Sequence, residues 1–170
     1  MFINKNLFIS VLMLMSVALE GCAPAGKAGI TATQSSAVSG AFITTSTTVH
    51  SSMEDKFNTI IELSSATTYT GTLEGTSTLS GTLVLHRDES GDFKGIETFT
   101  GSVDGKPGTL TFQVTGSSDL YQATQLTNSV TGGTGSLANL QGGLLKVGII
   151  KDNGPEGTYT GQISQAGDPL

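Results

Sequence analysis

The stretch Gly95-Ile96-Glu97-Thr98-Phe99-Thr100-Gly101-Ser102-Val103-Asp104-Gly105-Lys106-Pro107-Gly108-Thr109-Leu110-Thr111-Phe112-Gln113-Val114-Thr115-Gly116 decides the fold. In its first part Gly95, Glu97, Phe99 and Gly101 alternate with Ile96, Thr98 and Thr100. In its second part Leu110, Phe112 and Val114 alternate with Thr109, Thr111, Gln113 and Thr115. A period of two residues places each set on one face of an extended chain. Between them, Val103-Asp104-Gly105-Lys106-Pro107-Gly108 gathers residues that tolerate positive φ or fix φ, so the stretch reads as two antiparallel strands joined by a turn.

The same grammar runs outward in both directions. Strands are expected near Val38–Val49, Thr59–Thr70, Thr76–His86, Phe93–Gly101, Thr109–Gly116, Leu120–Val130, Gly143–Ile150 and Gly157–Ser164. Further turns fall at Asp88-Glu89-Ser90-Gly91-Asp92 and Lys151-Asp152-Asn153-Gly154-Pro155. Connections this short allow antiparallel neighbours and leave no room for the helical crossovers of a parallel sheet. Composition agrees: 23 Gly and still more Thr, with no Trp, suit short strands and the turns between them. Gly-Thr-Leu or Gly-Ser-Leu recurs at residues 71, 81, 108 and 135, at irregular spacing, which fits shared strand-start chemistry better than a repeat architecture.

The quoted hairpin resembles the central hairpin of a bacterial family of unknown function whose members resemble allene oxide cyclase. The segment Gly132-Gly133-Thr134-Gly135-Ser136-Leu137-Ala138-Asn139-Leu140-Gln141-Gly142-Gly143 is similar to a glycine-rich segment shared by that family, allene oxide cyclases and plant dirigent proteins. The resemblance implies an all-β fold, an eight-stranded antiparallel up-and-down barrel with a central cavity and no exposed sheet edges. Where the related hairpin often carries a histidine, this chain has Val114, so chemistry resting on that histidine does not transfer.

A barrel of eight strands is either filled by its own side chains or holds one small ligand. The more aromatic face of the fourth strand, with Phe93, Gly95, Glu97, Phe99 and Gly101, is the expected interior. Glu97 then sits among apolar side chains, beside Leu110, Phe112 and Val114 of the next strand. A carboxylate there has a raised pKa unless a cation or hydroxyl meets it, and perturbed carboxylates in cavities are candidate sites. Arg87, on the face of Leu83 and Leu85, and Tyr159, on the face of Ile163, are the expected partners. Glu97 is thus the candidate catalytic residue, and Glu97, Phe99, Leu110, Phe112, Arg87 and Tyr159 are the candidate ligand-binding set. The alternative is that Glu97 lies at the barrel mouth in a solvated structural ion pair.

Other chemistry is sparse. His50 and His86 fall at strand ends without Ser-His-Asp or His-x-x-x-His spacing, and the acidic turn Asp88–Asp92 lacks the ligand spacing of a calcium loop. No metal and no cofactor is expected. With 8 Lys and Arg against 14 Asp and Glu, the net charge of −6 excludes a nucleic-acid partner, because neutralising phosphates needs clustered cations.

The first 22 residues read as an export address. Lys5 supplies a charged start, Leu7 to Ala18 form an apolar run too short to span a bilayer comfortably, and Leu19-Glu20-Gly21-Cys22 resembles the bacterial lipobox, with Glu20 at a usually small position. The resemblance implies acylation of Cys22 and cleavage before it. Cys22 is the only cysteine, so a disulfide framework is excluded. The alternative is an ordinary secretory peptide cut near Ala25. The expected organisation is a signal peptide at 1–21, a flexible tether at 22–37, the barrel at 38–165 and a tail at 166–170. The expected location is the bacterial cell envelope, at the outer membrane where there are two, since Ala23 and not an aspartate follows the cysteine.

Three functional readings follow. The first is a lipid-anchored barrel binding a small, mainly apolar ligand; the second is a filled structural or interaction module that meets another envelope protein. The third is an isomerase-like or cyclase-like enzyme using Glu97. An apolar void would favour the first and third, a filled interior the second.

Overall fold

The computed structural model describes residues 35–119 and 123–166. The expected signal peptide, Cys22 and most of the tether lie outside the described residues. Eight strands follow one another: β1 (Ser35–Glu54), β2 (Asn58–Gly71), β3 (Leu73–His86), β4 (Ser90–Val103), β5 (Lys106–Asp119), β6 (Thr124–Gly135), β7 (Leu140–Lys151) and β8 (Gly154–Gln165). Each pairs antiparallel with the next, and β1 pairs with β8, closing an up-and-down barrel. Closure satisfies the backbone groups that an open sheet would leave at its two edges.

The central hairpin shows why the strands outrun their expected ends. Asp104 and Gly105 have φ of 50° and 73°, a two-residue turn of the I′ kind whose twist matches the flanking strands. Lys106 and Pro107 therefore already belong to β5, opposite Val103 and Ser102. Ser35–Ala37, expected in the tether, likewise pair with Gln162–Ser164. β1 carries irregularities between Thr44 and Ser46 and between Val49 and Ser51. Its ladder with β8 runs as far as Ile43, while its ladder with β2 continues to Glu54, so the far part of the β1–β2 ribbon is exposed, with Val49, Met53 and Phe57 in solvent.

Inward residues form one core. Near the end that carries the β2–β3, β4–β5 and β6–β7 turns, Leu73, Phe99, Leu110, Leu137 and Tyr159 close the interior, all essentially without exposure. Phe42, Tyr69 and Phe112 fill the middle. Tyr69 packs edge-on against Phe99 and Tyr159, at centroid separations of 5.7 and 5.6 Å, in the arrangement aromatic quadrupoles favour. Toward the other end Thr44, Ser65, Thr67 and Thr124 stand among the inward leucines, and the Phe93 ring lies over Gly81 and Gly95. A Cβ at Gly81 would stand 2.5 Å from the Phe93 Cζ, so only glycine leaves that ring its place.

Candidate functional site

The alternation through β4 places Phe93, Glu97 and Phe99 inside, as the sequence pattern requires, and Glu97 has no exposure at all. Its neighbour across the ladder is Phe112, with Leu110 and Val114 on either side. Glu97 is therefore an interior residue and not part of a solvated pair at the mouth.

The cation that meets it is Lys146 of β7, not Arg87. Lys146 Nζ lies 3.4 Å from Glu97 Oε2 and donates to the Tyr69 hydroxyl at 2.8 Å. Tyr69 in turn donates to Glu97 Oε1 at 2.7 Å, Ser77 donates to the same oxygen at 2.5 Å, and Asn128 Nδ2 donates to Oε2 at 2.5 Å. A carboxylate offers about four acceptor positions, and here all are taken. Lys146 also stands 4.6 Å above the Phe42 ring, a cation over an aromatic face. Asn128 Oδ1 is buried without a partner among the described residues.

Burial drives Glu97 toward its neutral form, but the Lys146 charge and the Ser77, Tyr69 and Asn128 donors outweigh it, so its pKa lies below the ordinary 4.5. Burial also draws the Lys146 ammonium down from 10.5, with the Glu97 charge opposing. The Tyr69 hydroxyl, pushed well above 10.0 by burial and by the nearby carboxylate, stays protonated and able to donate. The raised carboxyl pKa expected for an unpartnered glutamate does not arise, because partners are present on every side.

Arg87 lies past the end of β3, exposed, donating to the Lys56 carbonyl at 2.7 Å and standing 5.0 Å from the Phe57 ring centroid. It ends up there because β3 stops at His86, so the inward period breaks before reaching it. Tyr159 is inside but at the filled end, accepting from the Leu73 N–H at 2.7 Å and donating to the Thr70 carbonyl at 3.2 Å, where it ties the β2–β3 turn to β8. Phe99, Leu110 and Phe112 are buried around Glu97. His50 bonds Ser64, His86 bonds Asn58 and Asp92, and Asp88 accepts from Ser90 within its own turn, its pKa lowered by those bonds. Among the described residues no three His, Cys, Asp or Glu side chains converge on a metal-sized site.

Above the Glu97–Lys146 pair, at the end bearing the β1–β2, β3–β4 and β7–β8 turns, the barrel opens into a cavity of about 140 Å³. Leu63, Leu79, Leu83, Phe93 and Leu126 give it an apolar lining, and Thr44, Ser65, Thr67, Ser118 and Thr124 add hydroxyls. Of the five network residues, only Lys146 reaches its wall.

Sequence reasoning did not reach Tyr69, Ser77, Asn128 or Lys146. For Lys146 the pattern misleads, because the opposite face of β7, with Leu145, Val147 and Ile149, is the more hydrophobic and yet is exposed at 37, 50 and 47%. Pairing supplies the missing signal: a buried carboxylate on β4 requires a cation, and the inward Leu144-to-Gly148 face of β7 carries one.

Fold and site together define a small closed antiparallel barrel, packed with aromatic and leucine side chains toward one end, where a pocket of about 340 Å³ opens beside Val38, Val103 and Ile163, and holding the cavity of about 140 Å³ toward the other, with one buried carboxylate–ammonium pair between. Residues 38–160 match the family described as protein of unknown function (DUF3224), and the chain belongs to it. The crystal structure of a protein with unknown function from the same family, from Shewanella oneidensis MR-1, is similar, with a TM-score of 0.61 at 20% identity over 80% of this chain and 100% of that one. At that identity the likeness shows the fold alone. No curated protein matches the chain.

Proposed function

We propose that the protein is an exported, lipid-anchored barrel that binds a small, mainly apolar molecule in the hollow half of its interior. The observation that carries this reading is the cavity of about 140 Å³ with its leucine and phenylalanine lining. That volume is below the roughly 300 Å³ at which pockets for drug-sized ligands begin, and close to the ~150 Å³ apolar cavity that admits benzene in an engineered protein. The occupant is thus of single-ring size. The resemblance to allene oxide cyclases and dirigent proteins supports use of the cavity, since those barrels confine small apolar molecules. An enzymatic role for Glu97 is less well supported, because a carboxylate already accepting from four donors has no lone pair to offer a substrate proton.

The test is titration of the protein with methylcyclohexane, followed by NMR of the Leu79 and Leu126 methyl groups. Saturable shifts and a raised melting temperature are expected. Absence of both up to the solubility limit, with methylcyclohexane and with its polar counterpart cyclohexanone, would leave the barrel as a structural or interaction module, the reading that the packed aromatic half favours.

The anchor rests on Leu19-Glu20-Gly21-Cys22 and on the lack of any other cysteine. Two or three acyl chains, at roughly 0.8 kcal/mol per buried methylene, give stable attachment to the membrane. Cys22→Ser should release the mature protein to the soluble fraction; a variant that stays with the membrane would refute acylation. In a cell with two membranes the wild type should fractionate with the outer one.

A further inference from the structure

Lys146 is the only member of the buried network on the cavity wall, and its donors are not all used. An ammonium carries three N–H groups. One goes to the Tyr69 hydroxyl at 2.8 Å and one to Glu97 Oε2 at 3.4 Å; the third has no oxygen or nitrogen acceptor among the described residues, its nearest electron-rich neighbours being the Phe42 and Tyr69 rings at 4.6 and 5.1 Å. Electrically, however, the pair is already balanced, one carboxylate against one ammonium, both nearly unexposed. A ligand that brought a second anion would leave one negative charge uncompensated in the interior, which is costly. A pure hydrocarbon would leave the third N–H with only the aromatic faces of Phe42 and Tyr69, a weaker contact for a desolvated ammonium than a hydrogen bond.

We infer that the cavity selects an uncharged, single-ring-sized molecule presenting one hydrogen-bond acceptor oxygen, such as a ketone, aldehyde or ether, to Lys146 Nζ, with its apolar body against Leu79, Leu126 and Phe93. The inference rests on the cavity reading above and specifies it. Lys146 binds as an ammonium and not as a nucleophile, because Glu97, held ionised by Tyr69, Ser77 and Asn128, is poorly placed to take its proton.

Three probes of one shape separate the possibilities: cyclohexanone, methylcyclohexane and cyclohexanecarboxylate, titrated into the full chain at neutral pH. One hydrogen bond to a charged donor predicts that the ketone binds about tenfold or more tightly than the hydrocarbon. The carboxylate should bind weakest. In the infrared, the carbonyl band of bound cyclohexanone should move to lower wavenumber than in a hydrocarbon solvent, a readout that needs no variant. The double variant Glu97→Leu/Lys146→Met removes both charges together and should keep hydrocarbon binding while losing the ketone's advantage. Equal affinity for ketone and hydrocarbon, tightest binding by the carboxylate, an unshifted carbonyl band, or a ketone preference that survives in the double variant would each overturn the inference while leaving the cavity reading in place. If none of the three binds, the cavity reading fails and the inference falls with it.

Discussion

The two halves of the barrel interior are walled by the same alternating strands yet differ in what those strands send inward. In the closed half the inward positions carry Leu73, Phe99, Leu110, Leu137 and Tyr159, packed against one another, and a pocket of about 340 Å³ opens only beyond them, beside Val38, Val103, Leu140 and Ile163. In the hollow half Thr44, Ser65, Thr67 and Thr124 occupy equivalent positions, and the space that longer side chains would fill remains as the cavity. Backbone geometry is common to both, so the side chains decide where open space remains. The Glu97–Lys146 pair sits at the boundary, where a buried charge can be shielded on one side by aromatic rings and reached on the other from the cavity.

The largest test of that boundary is Lys146→Met. Removing one partner of a buried pair strands the other charge, and the expected loss is about 3–5 kcal/mol by denaturant unfolding. Glu97→Gln, although it preserves size, should be destabilising for the reciprocal reason. The Glu97→Leu/Lys146→Met double variant removes the stranded charge and should recover part of the loss, the remainder being the cost of leaving the Tyr69, Ser77 and Asn128 donors buried without their acceptor. The carboxyl pKa of Glu97 is depressed in the fold, so its contribution is present above the ordinary glutamate pKa and is lost as pH falls through the lower folded value. Wild-type stability should accordingly decline in acid more steeply than that of the double variant. Parallel profiles would mean that the network is not what couples stability to acid.

How much of this was legible in the sequence differs between the halves. Strand number, antiparallel order and the inward face of β4 follow from period-two alternation and from Asp104-Gly105, both local properties of the chain. Glu97 could be placed inside because Phe93 and Phe99 share its face. Its partners could not, because which strand stands across a barrel from β4 depends on closure and register, and local alternation says nothing about side chains that meet through the interior. Lys146 is hidden further by the exposed hydrophobic face of β7, and Arg87 falls on the inward face only if β3 runs one residue past His86, where it ends. The cavity was equally out of reach: Thr and Ser at inward positions look like half-solvated strand residues until the opposite wall is known.

A smaller effect compares truncations in the two halves. Phe99→Ala should cost about 3–5 kcal/mol, since Tyr69 and its neighbours cannot collapse into the space. Leu79→Ala already borders a void, so less packing is lost and the cost should fall near the lower end for such changes, about 2 kcal/mol. Equal losses at the two sites, measured by denaturant midpoints with unchanged slopes, would show that the hollow half is as tightly packed in solution as the closed one.

The smallest effect is also the most discriminating, because it adds atoms where truncation removes them. Leu110→Phe enlarges a side chain with no exposure in the closed half, where the added ring atoms must displace Phe99 or Leu137, and overpacking of this kind costs about 1–3 kcal/mol. Leu79→Phe makes the same chemical change on the cavity wall, where about 140 Å³ is open to receive it, so stability should shift by less than about 1 kcal/mol in either direction. The two variants carry identical changes in composition and hydrophobicity, so any difference between them reports on space alone. Leu79→Phe should also abolish binding of methylcyclohexane by occupying its site, while leaving the Glu97–Lys146 pair and the acid profile untouched. A Leu79→Phe protein that is strongly destabilised would show that the hollow half closes up in solution, and one that still binds the hydrocarbon would place the ligand elsewhere than beside Lys146.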